Sequence, residues 1–324
     1  MTDTITTGDK ILMGAGIQTS EGVAASSIIY SSTMPPSLNG RIEKQQVPAN
    51  GHIADAKSVK NTKKYSEPSV SGPINNEFIG LLLKAAMGTH SPDTDTPEAG
   101  VTTHTFSVKN DNSHPKLTLD FDEGELKGRR ILDAMLSRLQ ITVRNGEVAA
   151  FEADFFGGFP ADETLSPAVP DEITYDPSHV TVKIVANEAA LAAASGSCVE
   201  ELTLTFEKNL GQHYCLGSLV PDKIYNTDMV VTGNLTTLYE NQNYRDVWDG
   251  ATFKAIGIYL ENTDESIGNS TNPALSIVLP KVAYEEWTID SPESDLVRQT
   301  IAFKAYLNGS DFVKAELVNE TASY

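Results

Sequence analysis

The residues able to do chemistry in this chain are six histidines, two cysteines and many carboxylates. Their spacing assembles no catalytic or metal-binding set. His52, His90, His104, His114, His179 and His213 are scattered beside turn signals, without the i, i+4 pairing or Cys/His spacing of a zinc site. Cys198 and Cys215 have no metal-ligand spacing. Gly14 and Gly16 lack both the third glycine of a dinucleotide fingerprint and the Gly-Lys-Ser/Thr of a P-loop. No Gly-x-Ser-x-Gly elbow occurs. Asp93-Thr-Asp95 opens like a calcium loop but lacks the glycine and the closing glutamate. The expectation is a chain that is not an enzyme and takes no cofactor and no metal.

What remains is charge. The chain has 324 residues and a net charge of −20, which disfavours tight nucleic-acid binding and suits a surface that repels phosphate. One stretch runs the other way. Between Asn39 and Tyr65 stand Arg41, Lys44, Lys57, Lys60, Lys63 and Lys64 against Glu43 and Asp55. Pro35, Pro36, Asn39-Gly40, Pro48 and Asn50-Gly51 punctuate residues 35–66, which read as a long polar loop. A basic arm on an acidic body could dock on the next copy of that body.

The elements that position these charges read mostly as strands. Around Asn145-Gly146, a hairpin dipeptide, apolar and polar residues alternate. Leu139, Ile141, Val143, Ala149, Phe151, Ala153 and Phe155 share a dry face. Gln140, Thr142, Arg144, Ala150, Glu152 and Asp154 share a wet one. Further alternation marks strands at 23–32, Thr103–Val108, Lys116–Asp122, Val180–Val185, Glu200–Glu207, Phe253–Leu260, Ala274–Leu279 and Gln299–Leu307. Ile74, Phe78, Leu81, Leu82 and Ala85 fit a helical stripe that ends at Gly88. A second helix face is Tyr239, Tyr244, Val247 and Trp248, and an alanine-rich helical turn is expected at Glu188–Ala194.

The halves echo each other. Val70-Ser-Gly-Pro-Ile74 parallels Val231-Thr-Gly-Asn-Leu235, and Pro115-Lys-Leu-Thr-Leu119 parallels Pro273-Ala-Leu-Ser-Ile277, at offsets of 161 and 158 residues. A period this long is no solenoid repeat. The expected organisation is mainly β with flanking helices, in two tandem copies of one β-rich domain. The first spans 1–160 with the basic arm, a linker covers 161–198, and the second spans 199–324.

With that repeat, the sequence resembles the tail tube (major tail) proteins of long-tailed, non-contractile bacteriophages. The likeness is carried by Gly16-Ile-Gln-Thr-Ser-Glu-Gly22, Glu67-Pro with Ser71-Gly-Pro-Ile74 and Ile79-Gly80-Leu-Leu, and His104-Thr-Phe106. It continues through Leu202-Thr-Leu204-Thr-Phe206 with Asn209-Leu210, Val231-Thr-Gly233 and Leu279-Pro-Lys-Val282, spanning roughly Gly14 to Leu307. The resemblance implies a β-sandwich/barrel tube fold whose strands merge between subunits into one channel. Double-stranded DNA passes through it without specific binding. It also implies a tape measure protein, a tail terminator and tail-tip proteins as partners. The location would be the virion tail, with assembly in the host cytoplasm and no membrane. Most members close a ring with six single-domain copies, so a two-copy chain would close it with three. On this reading Glu152 and Asp154, then Asp120, Asp122 and Glu207, are candidates for an acidic lumen, and the arm reaches the neighbouring ring.

Two readings compete. A tube subunit of a contractile tail or of a type VI secretion system shares the architecture. A β-sandwich adhesin or carbohydrate-binding protein would want an export signal and clustered exposed aromatics. The opening Met1-Thr-Asp-Thr-Ile reads as no such signal, and Trp248 and Trp287 stand apart in sequence. Free thiols in a reducing cytoplasm are expected for the cysteines.

Overall fold

The computed structural model describes residues 7–32, 35–94, 96–124, 127–168 and 172–324. The first half gives β1 (Leu12–Ile17), β2 (Ile29–Ser31), β3 (Gly40–Pro48), β4 (Ala56–Ser66), β5 (Ser69–Pro73), α1 (Phe78–Met87), β6 (Gly88–Thr94), β7 (Thr102–Val108), β8 (Leu117–Asp122), β9 (Gly128–Arg144), β10 (Ala150–Phe156) and β11 (Ala161–Glu163). The second gives β12 (Val180–Val185), β13 (Glu201–His213), β14 (Lys223–Leu238), α2 (Asn243–Asp249), β15 (Lys254–Glu261), β16 (Ala274–Asp290), β17 (Arg298–Ala305) and β18 (Lys314–Asn319).

The pairing is antiparallel, and its spine is a run of neighbours in the order β5, β10, β9, β13, β14, β17, β16. The strands of this spine carry the period-2 pattern that buries alternate side chains, which β16 keeps only up to Tyr284 and with one break. Leu139, Ile141, Leu204, Phe206, Leu235, Ile301 and Phe303 accordingly lie inside. The hairpin expected around Asn145-Gly146 is β9–β10, with Ile141 opposite Phe151 and Leu139 opposite Ala153. Gly146 takes φ 86°, the left-handed conformation a tight turn needs there.

Helix α1 is apolar on every side, and all its residues except Lys84 are buried. A helix without a wet face must be wrapped. Phe78 packs 5.8 Å from the Phe151 ring, and Lys208 on β13 donates to the Ala85 carbonyl near its end. Asn75 accepts from the Phe78 amide at 2.6 Å at its start, and Gly88, at φ 91°, ends it. One cluster of buried apolar side chains runs from Met13 to Leu317, through both halves of the chain.

Two expectations are corrected. Residues 35–66 are not a loop: β3 and β4 pair from Gly40 opposite Ser66 out to Pro48 opposite Ala56. Polar residues on both faces hid the strands, because alternation shows only where one face is buried. Within 161–198, β12 is the strand expected at Val180–Val185 and pairs with β15, and β11 pairs with β9. The alanine-rich turn shrinks to a three-residue 3-10 turn, Glu188–Ala190.

Candidate functional site

The side of the spine away from the core is a polar wall, assembled by register. One row across it reads Pro73, Ala150, Thr142, Thr203, Asn234, Ala302 and Glu286. The next reads Ser71, Glu152, Gln140, Thr205, Thr232, Lys304 and Ala283. Arg138 faces Asp154 on one flank and Glu207 on the other, and Arg144 faces Glu201. Short polar side chains, many of them threonine, give the middle of the wall a flat hydroxyl surface.

The charges pair within it. Arg138 donates to Asp154 Oδ2 at 3.0 Å and to Glu152 Oε2 at 3.2 Å, and it also touches Gln140. Arg144 lies 2.5 Å from Glu201 and 3.4 Å from Glu147. Arg298 lies 2.8 Å from Glu200 and 3.2 Å from Asp295. The carboxylates of Glu152, Asp154, Glu201, Glu207, Glu286 and Asp290 outnumber the cations Arg138, Arg144, Arg298 and Lys304 on this face. Hydrogen bonds to Glu201 and the nearby carboxylates raise the Arg144 pKa, and those to Glu200 and Asp295 do the same for Arg298.

Of the five expected wet carboxylates, Glu152, Asp154 and Glu207 share this wall. Asp120 does not. It is fully buried on β8, held by Arg130 at 2.7 and 2.8 Å and by the Tyr30 hydroxyl at 3.3 Å. Burial of Tyr30 itself, then the Asp120 charge beside it, pushes the Tyr30 pKa up to about 12. Asp122 is half-buried at the end of β8, opposite Leu12, and belongs to none of these rows. The acidic run at 120–122 misled because β8 is buried almost throughout, and Tyr30 and Arg130 close over Asp120.

Arg138 and Glu201 were legible in the sequence by parity, two residues from Gln140 and from Thr203. Glu286 and Asp290 were not, because a register shift between Tyr284 and Glu286 breaks the alternation.

The six arm cations sit on the β3–β4 hairpin. Arg41 pairs with Glu67 at 3.1 Å and Lys63 with Glu43 at 3.3 Å. Lys63 lies over the Tyr214 ring and Lys64 over Phe159, while Lys44, Lys57 and Lys60 are exposed. The described contacts of the arm with the body lie towards its root, where the Lys64 amide also donates to the Leu219 carbonyl at 2.7 Å. There Ser66 Oγ donates to the Gly158 carbonyl at 2.6 Å, and Tyr65 stacks on Phe156 with centroids 5.3 Å apart. Ile53 in its turn and Leu216 in the β13–β14 turn are fully exposed.

Tertiary structure also gathers groups that no spacing signals. His213, Cys215 and Asp222 meet on the exposed β13–β14 turn, and Asp176, His179 and Asp264 meet beside β12. In the second group Asp176 caps the turn through the Ser178 amide at 2.8 Å. Cys198 and Cys215 are both free and exposed. Among the described residues no helix is long and apolar enough to cross a membrane.

A family model described as phage tail tube protein matches residues 8–305. Comparison with curated proteins gives no match.

Proposed function

The chain belongs to the phage tail tube protein family, and from that membership we propose that its polar wall lines a channel for double-stranded DNA. Membership makes it a structural tail tube subunit, a virion tail component that self-assembles into a tube with other tail proteins.

In this reading each chain contributes two tube units, roughly 1–160 and 199–324, and three chains close a pseudo-sixfold ring. Rings stack, and their strands run on as one β-barrel with no exposed sheet edges. The tail is of the non-contractile kind. The arm of Arg41, Lys44, Lys57, Lys60, Lys63 and Lys64 reaches an acidic surface of the adjoining ring. A tape measure protein, a terminator and tip proteins complete the tail.

The observation that carries the channel is the state of the guanidiniums on the wall. Phosphate recognition needs a free fork of N–H donors. Arg138, Arg144 and Arg298 each already give theirs to carboxylates of the same chain. A wall with surplus carboxylate and occupied arginines repels the DNA backbone and offers it little foothold beyond Lys304, which lies over the Tyr306 ring. DNA then slides along a hydroxyl-rich surface.

Electron microscopy of the purified chain tests the reading. Hollow filaments or stacked rings with three copies per ring are expected. Monodisperse monomers at all concentrations, or a positively lined bore, overturn it. Capture of a sheath protein by the assembled tube would move the subunit to a contractile tail.

A further inference from the structure

The β13–β14 hairpin ends in a turn that carries three different donor groups towards one point. His213 closes β13, opposite Lys223 of β14. Cys215 follows at the next position but one, and residues two apart in extended chain point the same way. The chain then reverses through a β-turn in which the Ser218 amide donates to the Cys215 carbonyl at 3.2 Å, with Gly217 at φ 94° in its third position. Pro221 leads back, and the Asp222 amide donates to the His213 carbonyl at 2.8 Å. The Asp222 carboxylate thereby returns beside the imidazole. No spacing in the sequence signals the trio, because Asp222 joins it only through the turn.

One ring nitrogen faces both partners. His213 Nδ1 lies 3.9 Å from Cys215 Sγ and 3.5 Å from Asp222 Oδ2, and the three donor atoms lie within 4.8 Å of one another. Zinc bonds of about 2.0–2.3 Å at tetrahedral angles set such donors about 3.3–3.6 Å apart. The trio is close to ligating distance, and small side-chain rotations bring it the rest of the way. The other trio, Asp176, His179 and Asp264, does not converge like this. There Nδ1 accepts from the Asp176 amide at 3.3 Å while Nε2 faces Asp264 at 3.3 Å. Its two ring nitrogens serve different partners, and the imidazole is a structural bridge.

We propose that His213, Cys215 and Asp222 bind one zinc(II) ion, with water in the fourth position. Imidazole and thiolate are zinc donors and select against magnesium and calcium, which take oxygen. The ion replaces the Cys215 thiol proton, which leaves to solvent, and takes the lone pair of a neutral His213 ring whose proton sits on Nε2. Thiolate and carboxylate together balance the charge of the ion. All three side chains are exposed, so the ion enters without any opening of the fold. The arm leans on this turn. The Lys64 amide donates to the Leu219 carbonyl at 2.7 Å, and Lys63 lies over the ring of Tyr214, between two of the ligands. Bound zinc fixes the turn and, through it, the footing of the arm. The site stands whether or not the chain forms a tube.

The test titrates the tag-free full-length chain, reduced and stripped with chelator, with cobalt(II) as a visible stand-in for zinc. One ion per chain is expected, with a thiolate-to-cobalt charge-transfer band and the intense d–d bands of four-coordinate cobalt, all erased by added zinc. Cys215→Ser should remove the charge-transfer band. His213→Gln or Asp222→Asn should weaken zinc binding by about tenfold or more, since even outer-shell partners of a metal are worth that. Cys198→Ser and Asp264→Asn should bind as the native chain does. A cobalt signal that survives Cys215→Ser, or that Cys198→Ser removes, overturns the site. So does the absence of the band when thiol titration shows both cysteines reduced. Half an ion per chain, bound by a dimer, also overturns it, because the ligands then come from two copies. Hydrogen exchange supplies a second readout. Zinc should slow the amides of the 214–220 turn and leave those of β9 and β10 unchanged, and equal slowing in Cys215→Ser overturns the assignment.

Discussion

Arg138 on β9 and Asp154 on β10 meet across the hairpin, Nη1 to Oδ2, at 3.0 Å. The same guanidinium reaches Glu152 at 3.2 Å. Two carboxylates that the sequence presents as an acidic pair are thus balanced by a cation between them. Glu152→Gln with Asp154→Asn should leave the fold intact and free Arg138 on the wall. Salt-sensitive retention of double-stranded DNA by assembled protein is then expected, read by gel shift, where the parent shows none. Arg138→Gln should cost about 1 kcal/mol or less, since half-exposed ion pairs contribute little. That loss should shrink at high salt in chemical denaturation.

Removing residues 40–64 deletes the arm but keeps the Ser66 anchor on Gly158. The monomer should melt as the parent does, because the arm adds little to the core. Tube growth, followed by light scattering, should slow strongly or stop. Growth at the normal rate to normal length would remove the arm from ring stacking.

The Tyr324 ring lies against Gly80, where an added Cβ would sit 2.2 Å from Tyr324 Cζ. Gly80→Ala should therefore cost about 1–3 kcal/mol in denaturant, the range for overpacking a filled site. Adding Tyr324→Leu should recover part of that loss by making room. Independent, additive losses would show that the two residues do not share the site.

Acid stability should fall in a defined window. Burial, then the charges of Lys84 and His104, hold His90 at about 4, and burial with Lys208 nearby holds His114 at about 4. Both bind protons more weakly folded than unfolded, so stability rises with pH across this interval. It is lost as pH falls from about 6.5 towards 4. His90→Gln should flatten that limb in urea titrations at stepped pH. Burial lowers Lys208 to about 7, so its contribution improves as pH rises from about 7 towards 10. Lys208→Met should abolish that upward slope.

Glu98 ties the first half to the 268–271 loop of the second. Its Oε1 accepts from the Asn269, Ser270 and Thr271 amides at 3.0, 3.0 and 3.1 Å and from Thr271 Oγ1 at 2.7 Å. The Ser270 amide first, then the Thr271 hydroxyl, hold its pKa at about 2. Its contribution is present above about 4.5 and lost as pH falls through about 2. Glu98→Gln should raise hydrogen exchange of those amides at neutral pH and leave the spine unchanged.

The sequence by itself determined the elements whose burial is one-sided. Alternation around Asn145-Gly146 placed β9, β10 and their dry face, and the apolar stripe from Ile74 to Ala85 placed α1. The ordered motifs pointed to the family. Tertiary structure decided what alternation does not encode. The β3–β4 arm is wet on both faces, so its strands left no periodic trace. Asp120 looks like a solvated strand end until β1, Tyr30 and Arg130 close over it. Glu286 and Asp290 join the wall only through the register shift in β16. Side-chain period is local and survives in the sequence. Which strand lies beside which, and so which charges meet, depends on backbone pairing between residues far apart in the chain.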